Sequence, residues 1–291
     1  MKDEKLRLTD KCYWQSIYDD LLREQKSRIQ ANNARTPIKR IIGEKALNYW
    51  REHVATNYSE YVLWDIIYKK YLPVNKDLKI LEIGSAPGYN LVKFNREFGF
   101  VPYGVEYSES GVELNKKIFV SNGLDSGNVI YTDFFENKFL DRYRGFFDIV
   151  ISRGFIEHFD NPDIVMDRHI DLLAAGGHLI VTIPNLKGLN YIFTRFFNKG
   201  LIPMHNFKIM DENNFSKLFN KEKLVRLFCG YYGAFSFGLF NTEKKGMRHF
   251  LLRICLKLQL FLNIIFYLVL GARTAGNKLF SSALVYIGVK K

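Results

Sequence analysis

The chain has 291 residues, of which 47% are hydrophobic and 15% aromatic, and carries a formal net charge of +12. That is enough apolar material for one large core, which excludes a disordered or low-complexity chain. Three cysteines, Cys12, Cys229 and Cys255, stand far apart without ligand spacing; this excludes a disulfide scaffold, suggests a reducing compartment and leads us to expect no metal.

Residues 1–45 read as a helical extension ahead of a main domain covering 46–291. Met1 to Lys5 is polar, with no secretory leader. From Cys12 to Gln30, Trp14, Ile17, Tyr18, Leu21 and Leu22 recur at helical spacing until Asn32-Asn33 and Thr36-Pro37 break the pattern. A second helical stretch, Ala46 to Tyr71, is rich in aromatics (Tyr49, Trp50, Tyr58, Tyr61, Trp64) and leads into a short strand, Ile80 to Ile83. Gly84, Pro87 and Gly88 then force a tight turn, and Asn90 to Phe98 resumes helical spacing.

The turn has the form Glu-x-Gly-x-Ala-x-Gly, from Glu82 to Gly88. It lacks the spacing of a dinucleotide fingerprint and the Gly-Lys-Ser/Thr of a P-loop. Its glycines let a ligand approach the backbone, and Glu82 suits a ligand bearing an ammonium group. Taken alone, it leaves a plain strand-to-helix turn as the lesser alternative. A second strand, Pro102 to Tyr107, carries Glu106 about 20 residues on, where doubly wound folds set a carboxylate against ribose hydroxyls. A third, Asn128 to Asp133, ends in an acid followed by Phe134. A fourth, Phe146 to Ser152, runs into Arg153-Gly-Phe-Ile-Glu-His158, and a fifth, Gly176 to Asn185, follows a Leu-Leu-Ala-Ala-Gly-Gly helix stop. This alternation predicts a parallel sheet with helices on both faces and ligands outside the carboxyl ends of the strands.

The Glu82–Gly88 turn and the acid-tipped strands after it resemble motif I and its successors in class I S-adenosylmethionine (SAM) methyltransferases. The similarity runs roughly from Ala46 to Ile209, with Leu284 to Lys290 as the last strand. It implies an α/β fold with a Rossmann-like, doubly wound, seven-stranded and mostly parallel sheet, and SAM as cofactor. It also implies roles. Glu82, Gly84, Ser85, Ala86 and Gly88 would hold the methionine end. Glu106, followed by Tyr107, would bind the ribose diol. Asp133 and Phe134 would hold the adenine, and Ser152 and Arg153 would line the cleft. Ala86 and Pro87 depart from the commonest glycine-rich form of the motif. In similar enzymes the 46–71 segment folds over the methionine end, which brings Trp50, Arg51 and Tyr58 within reach of cofactor or substrate. His158 and His205 are the candidate catalytic proton acceptors; the other readings of Glu157-His158 are that it orders its loop and the helix start, or helps cap the cofactor.

The last third bears on the acceptor. Residues 186–207 form an aromatic-rich insertion (Tyr191, Phe193, Phe196, Phe197) where relatives carry a lid. Residues 242–282 form a second insertion, before the last strand. Within it Phe250 to Leu270 is apolar except for Arg253, Lys257, Gln259 and Asn263. The uninterrupted remainder is shorter than the ~20 residues a membrane span requires. From Lys244 onward there are nine Lys/Arg and no Asp/Glu, a pattern suited to the surface of an anionic membrane. A buried helix or an oligomer contact is the competing reading. Charge beside oily sequence, and no Asn-Pro-Pro-Tyr-like signature, argue against nucleic acid. The expected partner is a small-molecule, sugar or lipid-linked glycan acceptor, O-methylated by a cytoplasmic enzyme lying peripherally on the inner face of the membrane, as in bacterial enzymes of surface polysaccharide assembly that these regions resemble. A polyprenyl-quinone or other lipid O-methyltransferase, or a non-catalytic SAM-binding scaffold, are the alternatives.

Overall fold

The computed structural model describes residues 7–32, 57–242, 245–273 and 276–291. Trp50, Arg51 and the expected boundary between residues 45 and 46 lie outside them. The sheet is built outward from β1 (Lys79–Ile83), which pairs in parallel with β2 (Val101–Glu106) on one side and β4 (Phe147–Arg153) on the other. β3 (Val129–Tyr131) adds to β2, and β5 (Leu173–Pro184) adds to β4, again in parallel. β7 (Ala283–Lys290) runs antiparallel between β5 and β6 (Leu224–Tyr232). The order is β3-β2-β1-β4-β5-β7-β6, the seven-stranded, mostly parallel sheet that the resemblance implied. It reverses between β1 and β4, which opens a crevice at their carboxyl ends.

The central strands are apolar on both faces because helices cover both. Leu81, Val150 and Leu179 enter one core; Ile80, Ile149, Ile151 and Ile180 enter the other, as the two-residue period of a strand requires. Among the described residues the α-helices are α1 (Lys11–Asn32), α3 (Tyr89–Phe98), α4 (Glu109–Ser121), α5 (Asn137–Tyr143), α6 (Pro162–Leu172), α7 (Leu189–Asn198), α8 (Glu212–Lys217) and α9 (Met247–Leu270). Between α1 and β1 lies α2, a continuous helix: Tyr58–Tyr61, then Val62–Tyr68 wound as a π-helix, then Lys69–Tyr71.

Two readings of the sequence change. The preceding helix does stop in the Leu-Leu-Ala-Ala-Gly-Gly stretch, at Leu172, but the rest of that stretch belongs to the strand: Leu173 already pairs with Phe147 and His178 pairs with Ile149, so the four residues between them bulge out of β5. In α9 the uncharged polar interruptions face inward, while Arg253 and Lys257 stay exposed. Gln259 and Asn263 are buried, whereas Phe261, Leu268 and Val269 are 67%, 81% and 68% exposed. Gln259 Oε1 accepts the N–H of Phe237 at 2.8 Å, and its Nε2 donates to Asn263 Oδ1 at 3.0 Å. The 24-residue helix is long and apolar enough to cross a membrane, yet these bonds fasten one face of it to the body of the protein.

Candidate active site

The turn after β1 is held from behind. Gly84 and Ser85 donate their N–H groups to the Val105 carbonyl at 3.0 and 3.3 Å. Asn115 Nδ2 donates to Ser85 Oγ at 2.6 Å. Gly88 has φ +103°, and a Cβ there would stand 2.3 Å from Asn115 Oδ1, so only glycine fits. Gly84 and Ala86 line a cavity of about 190 Å³ at the crevice, while Ser85 and Gly88 lie off its wall. Ser152 is also off the wall; it is buried and bonded to His169 Nε2 at 3.0 Å.

Glu82, Glu106 and Asp133 all stand at this carboxyl edge, in different states. Glu82 is buried. Its Oε1 accepts Asn90 Nδ2 at 2.7 Å, and its Oε2 has no partner among the described residues. Burial pushes this carboxyl up to about 7, against the pull of Asn90 and Arg153. Glu106 Oε1 accepts the N–H groups of Tyr107 and Ser108 at 2.9 and 2.8 Å; burial raises its pKa, and those bonds oppose the rise. Asp133 lies two residues beyond the end of β3, and both of its oxygens accept Arg7 Nη2, at 2.5 and 2.6 Å. Phe134 is buried edge-on to Phe155.

The chain's own N-terminal segment closes this cavity. Arg7 bridges to Phe159 as a strand residue, and its guanidinium lies over the rings of Tyr107 and Phe135. Thr9, Trp14 and Tyr18 complete the wall, and α1 is pinned to α4 through Gln15 Nε2, which donates to Ser110 Oγ at 2.6 Å. No motif marked Arg7; only its new proximity to Asp133 reveals it.

Arg153 links this cavity to a second. Its Nη1 donates to Asn90 Oδ1 at 2.7 Å and its Nη2 to Glu60 Oε1 at 2.6 Å, while Glu60 Oε2 accepts Trp64 Nε1 at 2.9 Å. A continuous polar chain thus runs from α2 to Glu82. Arg153 and Gly154 line both cavities; the second, of about 530 Å³, adds Asn57, Ser59, Tyr232 and Ser236. Tyr58 enters neither cavity. It is buried against Phe266 and Tyr267 of α9, and its hydroxyl donates to the Gly271 carbonyl at 3.1 Å.

His158 and His205 meet, their ring centroids 4.5 Å apart. His158 lines the first cavity edge-on to Trp14. Burial, then the neighbouring His205, lowers its pKa to about 3, although its bond to the Met204 carbonyl opposes this. Such an imidazole stays neutral and offers a lone pair, but it stores a proton poorly. Buried Glu157 joins the two histidines in one cluster. Sequence spacing missed that cluster because 47 residues separate its halves.

Residues 50–229, more than half of the chain, match the family model of the methyltransferase domain. The chain belongs to the class I SAM-dependent methyltransferases. Solved structures share the fold. A SAM-dependent methyltransferase from Thermotoga maritima is 16% identical, with 85% of this chain and 96% of that one covered and a TM-score of 0.51. Geranyl diphosphate C-methyltransferase from Streptomyces coelicolor A3(2) is 12% identical, with 81% and 85% covered and a TM-score of 0.50. A geranyl diphosphate methyltransferase in complex with SAM is 13% identical, with 80% and 85% covered and a TM-score of 0.51. The cofactor of this methyltransferase is SAM. The lining of the first cavity fits it chemically, with the carboxylates Glu106 and Asp133 and the side-chain-free Gly84, which leaves the backbone open; Glu82, whose buried Oε2 has no partner among the described residues, lies behind the wall of both cavities, two residues before Gly84.

Proposed function

We propose that this methyltransferase transfers the SAM methyl group to a hydroxyl of a lipid-linked sugar or glycan at the surface of an anionic membrane. The observation that carries the proposal is the second cavity. Its lining includes the hydroxyls and amides of Asn57, Ser59, Asn90, Thr182, Ser236 and Ser282 beside Glu60, it shares Arg153 and Gly154 with the first cavity, and α9 bonds to the backbone next to its wall. Asn57 Nδ2 donates to Ser236 Oγ across its wall at 2.6 Å. Gln259 and Asn263 of α9 accept the N–H groups of Phe237 and Tyr58, next to residues of that wall. A polar chamber for a head group thus adjoins a helix whose outer face is oily.

In this reading Glu82 Oε2 takes the SAM ammonium, with Gly84 and Ala86 beneath the methionine end. Glu106 and Tyr107 face the ribose, and Asp133 with Phe134 faces the adenine once Arg7 yields. Arg153 stands between cofactor and acceptor. Methyl transfer from a sulfonium requires mainly alignment and an exit for one proton. The basic, apolar region from Lys245 on supplies the membrane contact: hydrocarbon inserts while Lys and Arg meet anionic head groups.

The test is incubation of the enzyme with methyl-labelled SAM and membranes containing lipid-linked glycans. Label should enter the lipid fraction as a base-stable methyl ether. SAM binding with no transfer to any hydroxyl acceptor would instead favour the scaffold reading.

A further inference from the structure

We propose that Glu157, His158 and His205 form a binding site for a divalent transition-metal cation, Zn²⁺ being the best match. Asn206 clamps the halves together: its N–H donates to the Glu157 carbonyl at 2.6 Å, and its Nδ2 donates to the Phe159 carbonyl at 3.0 Å. One ligating atom from each of the three residues lies within 4.8 Å of the others. His158 Nδ1 donates to the Met204 carbonyl at 2.9 Å, and His205 Nδ1 donates to the Leu201 carbonyl at 2.7 Å. Each ring is thereby oriented by a backbone carbonyl and keeps its Nε2 lone pair for a ligand, as metal-binding histidines do.

The second observation is Glu157 itself. It is 1% exposed, and its Oε2 has no hydrogen-bond partner among the described residues. A buried carboxylate oxygen without a partner is costly unless a cation answers it. Ligands around zinc stand roughly 3.4 Å apart, so the site closes by at most about 1.4 Å on loading, within reach of carboxylate rotation. Two imidazoles and one carboxylate suit zinc with open coordination positions, and suit Mg²⁺ poorly because it prefers oxygen. His158 also lines the first cavity, so the cation would stand at the cavity's wall. The site rests on these three residues alone, whatever the acceptor.

The test uses the full-length protein stripped of metal with a chelator and titrated with Co²⁺, read by visible d–d absorption. One saturable Co²⁺ per chain is expected, displaced by Zn²⁺. His205→Ala and the isosteric Glu157→Gln should each weaken it at least tenfold, with Glu157→Gln carrying the test if His205→Ala melts early. His249→Ala, which removes a histidine bonded to Thr242 far along the chain, should leave it unchanged. No saturable absorption, or equal affinity in native protein and Glu157→Gln, would overturn the proposal.

Discussion

The guanidinium of Arg153 pairs with the carboxylate of Glu60 at 2.6 Å, where the two cavities meet. Arg153 is largely covered and Glu60 partly so. Removing one partner strands the other's charge, which costs more than the intact pair contributes. Glu60→Ala should lower stability by about 2 kcal/mol, below the range for a fully buried pair. Arg153→Met in that background should recover part of the loss. Because Asn90 carries the bond from Arg153 to Glu82, SAM affinity should also fall in Glu60→Ala. Melting curves of the four proteins of this cycle, with calorimetric SAM titrations, check both; additive losses would show that the two residues act independently.

Glu82 makes stability depend on pH. Burial holds its carboxyl at about 7 in the folded protein, against an ordinary value of 4.5. The folded state thus keeps a proton that the unfolded chain has already lost. The contribution, up to about 3 kcal/mol, is complete below pH about 4.5 and disappears as pH rises through about 7. Between pH 5 and 8 the native protein should lose stability relative to Glu82→Gln. An ammonium against Oε2 favours the ionised form, so SAM binding at pH 7 should release about half a proton. Calorimetry in two buffers of different ionisation enthalpy measures it; no buffer dependence would separate Glu82 from the cofactor.

Gly88 tests the turn behind the first cavity. A Cβ at this position meets Asn115 Oδ1, and the φ of +103° already disfavours any side chain. Gly88→Ala should cost about 2 kcal/mol and lower SAM affinity, because Asn115 also holds Ser85. Thermal melting and SAM titration are the readouts, and a melting temperature equal to that of the native protein would contradict this account of the turn.

The outer face of α9 is the membrane contact in the proposed function. Phe261 and Leu268 are among its most exposed side chains, so changing both to Asp should leave the melting temperature nearly unchanged. Recovery with floated anionic liposomes should fall about tenfold. Equal flotation of the double variant and the native protein would remove the membrane role.

Local patterning reveals much of this molecule. Apolar runs at Ile80, Ile149 and Ile180 announce buried strands, and the acids Glu82, Glu106 and Asp133 are visible because each stands at or just past a strand's end. Long-range pairings are not visible. Glu60 and Arg153 are 93 residues apart, and Arg7 and Asp133 are 126 apart; nothing in either neighbourhood names its partner. The same holds for His158 and His205, which the Asn206 clamp and the bond from His158 to the Met204 carbonyl bring together. In α9 the apolar run hides its orientation, because hydropathy cannot show that Gln259 and Asn263 point inward to cap the N–H groups of Phe237 and Tyr58.

The most direct trial of the proposed function follows the label from methyl-labelled SAM into membranes bearing lipid-linked glycans. The account predicts a base-stable methyl ether on a sugar hydroxyl, formed at a rate that falls in Glu60→Ala. Label found instead on nitrogen, on carbon or in a base-labile ester would contradict it.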